Sequence, residues 1–202
     1  MALRFAIGGL RLVRRSCMPA LAGCLLAASL CFADGAASTP DRPSEYDVRA
    51  AYLLNFGKFM RLNGEAQTPD GSFHICILGH DPIGAVIDQL AAGDTIDRRP
   101  IHIQRIGDPT QGLGCQVLYI GPSETGRLRE DLAILEGSDI LTVGDAPDFL
   151  QMGGMVQFIL DSDHVRFKVN LNAVNRTHIV LSSELLRVAA AVEGNPNRGG
   201  AR

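Results

Sequence analysis

The chain lacks the compact signatures of most enzymes and most binding machines. No Gly-x-Gly-x-x-Gly stands at a strand end, no Gly-Lys-Ser/Thr completes a P-loop and no Gly-x-Ser-x-Gly elbow occurs, so dinucleotide binding, nucleoside triphosphate binding and α/β-hydrolase chemistry lose their usual markers. His74, His80, His102, His164 and His178 are scattered, with no two at i, i+4 and no Cys or carboxylate cluster at metal-ligand spacing, which speaks against a metal site. No internal repeat marks a solenoid, and past the first 33 residues no apolar run is long enough to cross a bilayer. Basic excess is missing too: 19 Lys and Arg face 22 Asp and Glu, a formal charge of -3. Nucleic-acid binding needs a basic face, and is set aside.

The N-terminus is different. Arg4, Arg11, Arg14 and Arg15 are the only charges before Asp34, and Cys17 to Ala33 is apolar, the form of an export signal. Cleavage after Ala33, with Cys31 two positions earlier, gives a signal peptide over 1–33, a flexible tether over 34–44, one domain over 45–193 and a disordered tail over 194–202. Two alternatives stay open: an uncleaved membrane-spanning helix, and lipidation at the box-like "LAGC", Leu21 to Cys24. Removal of the leader takes four basic residues and no acidic one, leaving 15 against 22 and a charge of -7.

Three of the five cysteines leave with that segment, and Cys76 and Cys115 remain. Two cysteines in an oxidising compartment point to one disulfide, the alternative being two separately buried thiols. A redox catalyst would place its pair two apart at a helix start, and these lie on separate strands.

Local patterning gives an α/β single domain: a mixed β-sheet flanked by helices, with a C-terminal β-hairpin and helix. Ser44 caps a helix through Arg61; Phe73–Gly79 and Cys115–Gly121 read as buried strands, and Ile101–Ile106 as a half-exposed one. Asp81–Gly93 and Pro122–Gly137 read as helices, and Asp139–Asp145 as a strand. Met155–Asn170 reads as a hairpin turning at "DSDH", followed by a helical turn from Leu171, a strand Ile179–Leu181 and a helix Ser182–Val192.

Two sets of residues are functional candidates. Gly79, Asp81, Gly84, Gly121 and Ser123 lie in strand-end turns of the kind that hold anions on exposed amides, although plain capping explains them as well. Tyr52, Phe56 and Phe59 either pack the first helix on the sheet or present an aromatic partner or dimer surface. Asp81, Asp145 and Asp148 near strand ends fit turns better than acid-base catalysis. No cofactor is indicated.

Taken together, "EYDVRAAYLLNFGKFMR", "ICILGHDPIG", "CQVLYIGPSE", "ILTVGDAPDFLQMGGMVQFIL" and "VRFKVNLNAVNRTHIVLSSELLRVA" resemble the YfiR family of bacterial periplasmic proteins over Glu45 to Ala189. The resemblance implies a non-enzymatic repressor that binds the periplasmic sensor domain of an inner-membrane diguanylate cyclase, lowers cyclic di-GMP and restrains biofilm growth. It further implies a homodimer, sequestration by an outer-membrane lipoprotein, and a disulfide between Cys76 and Cys115. One departure stands out: the first helix commonly ends in Trp-Pro in this family, whereas here "RLNGEA" follows Met60 and the chain has no tryptophan. The competing reading is a periplasmic small-molecule sensor using the strand-end turns.

Overall fold

Ser44 closes a capping box with Asp47: its hydroxyl accepts from the Asp47 amide at 3.2 Å, and the Asp47 carboxylate accepts from the Ser44 amide at 2.7 Å. From that cap helix α1 runs Glu45–Phe59, in a computed structural model that describes residues 43–62 and 70–194. The leader, nearly all of the tether and the tail past Gly194 lie outside the described residues. Among the described residues no helix is long and apolar enough to cross a membrane.

After α1 come strand β1 (Met60–Leu62), β2 (Phe73–Leu78), α2 (Ala85–Ala91), β3 (Thr95–Ile96) and β4 (Arg99–Ile106). A 3₁₀ segment (Pro109–Gly114) leads to β5 (Val117–Ile120), a second one (Pro122–Glu124) to α3 (Leu128–Ile134), then β6 (Leu141–Gly144). The chain ends with β7 (Val156–Asp161), β8 (His164–Asn170), α4 (Leu171–Val174), β9 (Ile179–Leu181), α5 (Ser183–Val188) and β10 (Ala191–Glu193). Eight strands form one mixed sheet in the order β10-β8-β7-β6-β5-β2-β4-β3, while β1 and β9 pair antiparallel in a small sheet of their own. From β7 to β4 every neighbour is parallel; β8 returns antiparallel to β7, and β3 to β4.

Alternation along the strands divides the core. Ile75 and Ile77 of β2 and Val117 and Tyr119 of β5 point to the face covered by α1 and α2. Cys76, Leu78, Leu118 and Ile120 point to the other, where Leu128 and Leu132 of α3 cover them with Phe149 and Leu150. Strands buried on both faces are apolar along their buried run, which is why "ICIL" of β2 and "VLYI" of β5 carry no outward polar stripe. Both two-residue hairpin turns, Asp97-Arg98 and Ser162-Asp163, hold positive φ at both positions, the twist that a tight antiparallel return requires.

Four expected helices are shorter than their sequence pattern. Asp81 does not cap a helix from Pro82; its carboxylate accepts from the amides of Ile83 (2.8 Å) and Gly84 (3.0 Å), closing a turn first, and α2 begins only at Ala85. The stretch 122–137 breaks after Glu124 and resumes at Leu128, because Glu124 turns inward. The last helix stops at Val188, and Ala191–Glu193 joins the free edge of β8 as a parallel strand. Ladder bonds on an open edge outweigh the helix preference of "AAA" there. The first helix likewise ends at Phe59, where Met60 turns extended to pair with Leu181.

Candidate functional site

The parallel strands β4-β2-β5-β6 form a doubly wound unit. The crossover from β2 to β4 uses α2 on one face, that from β5 to β6 uses α3 on the other, and the winding reverses between β2 and β5. Ligands of such sheets bind in the crevice outside the carboxyl ends of the strands flanking that reversal. All five turn candidates meet here, since Gly79, Asp81 and Gly84 follow β2 while Gly121 and Ser123 follow β5.

The crevice is filled by the chain itself. The Ser123 hydroxyl accepts from the His80 amide at 2.9 Å and donates to Glu124 Oε1 at 2.7 Å. Glu124 is only 6% exposed, and its other oxygen pairs with Arg127 Nε at 2.5 Å. A Cβ on Gly79, which holds φ of 82°, would lie 2.2 Å from Glu124 Oε1, and one on Gly121 would lie 2.6 Å from the His80 carbonyl oxygen. The Glu124 carboxylate therefore occupies the space beside Gly79. Asp81 is equally engaged, since Arg105 Nε donates to it at 2.8 Å while the Arg105 fork holds Asp88 at 2.6 and 3.1 Å. That fork holds the Asp88 carboxyl below its usual range. Asp131, behind Arg127, is raised by burial, with the Arg127 charge opposing.

Glu124 and Arg127 were not among the sequence candidates; a charged residue two places after a helix-starting proline reads as dipole complement, and only the tertiary fold shows it turned inward.

A second charged cluster lies at the end of β6. Arg49 of α1, 6% exposed, donates to Asp145 at 3.0 Å and reaches Glu45 at 3.5 Å, with its guanidinium 4.8 Å from the Tyr46 ring and 5.9 Å from Phe158. The Tyr119 hydroxyl donates to the same Asp145 oxygen at 3.2 Å. Burial, then the Asp145 charge, raises the Tyr119 pKa far above its ordinary value, so it serves as a neutral donor. The cluster pins α1 to the sheet.

Cys76 and Cys115 form a disulfide, with Cα atoms 6.0 Å apart and both residues buried on the α3 face. The Gln116 side chain accepts from the His74 amide at 2.7 Å beside the bridge.

The aromatic candidates divide. Phe56 is wholly buried, 5.0 Å from Phe167 and 5.7 Å from Phe158 between ring centroids, so it belongs to the core rather than to any surface of the folded chain. Tyr52 is half-buried on the same cluster, 5.4 Å from Phe167. Phe59 is 39% exposed at the end of α1, just before β1, and Val180 on the partner strand β9 is 45% exposed. Asp148 sits at a positive φ in a turn, far in role from any acid-base pair.

Comparison with known proteins follows the fold. The YfiR/HmsC-like family profile matches residues 46–190. No curated protein matches the chain. Among solved structures, a conserved domain protein from Vibrio cholerae O1 biovar El Tor str. N16961 is similar at 10% identity and a TM-score of 0.49, over 74% of this chain and 60% of that one. The chain thus spans about three fifths of that protein's length.

Proposed function

The chain belongs to the YfiR/HmsC-like family, a regulatory family of periplasmic proteins in cyclic di-GMP signalling, and from that premise we propose that it is a non-enzymatic repressor of an inner-membrane diguanylate cyclase. In this reading it binds the periplasmic sensor domain of the cyclase in its low-output state and holds cyclic di-GMP down by differential affinity for that state. It acts as an exported homodimer, and an outer-membrane lipoprotein relieves repression by sequestering it. The observation that carries the reading is the family match over 46–190, nearly the whole described domain.

Two structural features support it over a ligand-binding sensor. The switch-point crevice is closed by Ser123 and Glu124, and the exposed apolar residues Phe59 and Val180 flank the small β1-β9 sheet, where a partner has something to bury. The test is cyclic di-GMP in a deletion strain complemented with the full gene, a version lacking residues 1–33, or Phe59→Glu. A rise on deletion that only the exported wild type reverses, with Phe59→Glu folded and failing to bind the cyclase domain, is the expected result. Unchanged cyclic di-GMP on deletion, with no binding between purified protein and cyclase domain, overturns the proposal.

A further inference from the structure

His74 and His102 are 28 residues apart, yet the parallel register of β2 and β4 sets them directly opposite each other, on the face that also carries Cys76. Their rings stack with centroids 5.2 Å apart. Asp70, just before β2, turns its carboxylate onto His74 Nε2 at 3.0 and 3.1 Å. One donor atom from each of the three residues lies within 4.8 Å of the others.

We propose that Asp70, His74 and His102 form a binding site for a divalent transition-metal ion of the zinc class. Two imidazoles and a carboxylate are a three-ligand set of the kind that leaves a fourth tetrahedral position to water. Two nitrogen donors of three select against magnesium and calcium, which prefer oxygen. Metal-to-ligand bonds of about 2.0–2.1 Å at tetrahedral angles place donors about 3.3 Å apart. The measured separation closes to that by rotation of His102, whose exposed side chain is free to turn. Asp70 and His74 already share a hydrogen bond, and the ion replaces the proton between them.

Placement gives the site a consequence. The His74 amide donates to Gln116, the residue after Cys115, so an ion on His74 adds a second cross-link at the end of the sheet that the disulfide already ties. The ion joins the start of β2 to β4, where the ladder bonds are already supported by Arg99, which donates to the Ser72 carbonyl and lies over the Phe73 ring.

The test uses tag-free protein with the disulfide intact, titrated with Zn²⁺ by calorimetry and by competition with a chromogenic chelator. One equivalent is expected to bind wild type. His102→Gln, exposed and so neutral for the fold, and Asp70→Asn each weaken it by about tenfold or more, since losing a ligand costs at least as much as losing an outer-shell partner. His178→Gln, which removes the separate His178–Asp139 pair, leaves the affinity unchanged, and Mg²⁺ does not compete. If His74→Asn/His102→Gln, shown folded by circular dichroism, binds zinc as well as wild type, or wild type binds none, the site does not exist. Neither result bears on cyclase repression.

Discussion

Replacing both half-cystines, Cys76→Ala with Cys115→Ala, removes a cross-link that closes a loop of 39 residues. In the chain-entropy description such a loop restricts the unfolded ensemble enough to contribute about 4 kcal/mol at 25 °C. Both residues are buried, at 0% and 4% exposure, so the vacated sulfur volume adds about 1 kcal/mol at most as unfilled space. Against a typical stability of 5–15 kcal/mol this is a large fraction. For a domain of about 150 residues it corresponds to a fall in Tm of about 12 °C.

Urea unfolding is followed by far-UV circular dichroism and by the three tyrosines, since there is no tryptophan to report. The variant should lose about 4 kcal/mol, and its m-value should rise because the unfolded chain, freed of the bridge, exposes more surface. Equal stability of the oxidised and double-alanine proteins within about 1 kcal/mol would refute the reasoning and place the constraint in residual unfolded-state structure instead. Because both sulfurs are shielded, reduction of the wild type proceeds through opening of the α3 face and its rate stops rising with thiol concentration. Repression should fall together with stability; full repression by the double-alanine protein would separate the two.

Other consequences follow from the charged clusters and turns. Arg49→Met leaves Asp145 beside Tyr119 without its cation and should cost about 3 kcal/mol in urea unfolding, with Asp145→Asn in the same background restoring most of it. Arg105→Gln should cost about 1 kcal/mol at pH 7, discounted because Arg105 and Asp88 are nearly half exposed. Since Arg105 depresses the folded-state Asp88 pKa below 3.8, that contribution is present above pH 4 and fades as pH falls through the lowered value, so the wild-type and variant stability curves should converge there. Gly79→Ala should cost about 2 kcal/mol or more, from φ of 82° and the meeting with Glu124, and Glu124→Ala in that background should relieve part of it.

The sequence makes legible whatever depends on near neighbours. Apolar runs mark β2 and β5 as buried strands and β6 as a strand, Ser44 marks the start of α1, and "DSDH" marks the β7-β8 return. It does not disclose what depends on distant ones. Whether "AAAVE" continues a helix or becomes β10 is decided by the open edge of β8, over twenty residues earlier in the chain. Which aromatics of α1 are core is decided by Phe158 and Phe167, and helical spacing alone treats Phe56 and Phe59 alike.

The turn candidates make the same point about function. Strand-end glycines in a doubly wound sheet mark the place where ligands bind, and the fold does bring Gly79, Asp81, Gly84, Gly121 and Ser123 to that place. What the pattern cannot convey is occupancy: Glu124 turns inward because Arg127 and Ser123 meet its carboxylate there, and the φ of Gly79 makes room for it. A residue that fills the crevice from within turns these strand-end turns into a structural joint. Parallel register, invisible to local spacing, likewise sets His74 against His102, so side chains that no short motif links come together only where β2 and β4 pair in the folded chain.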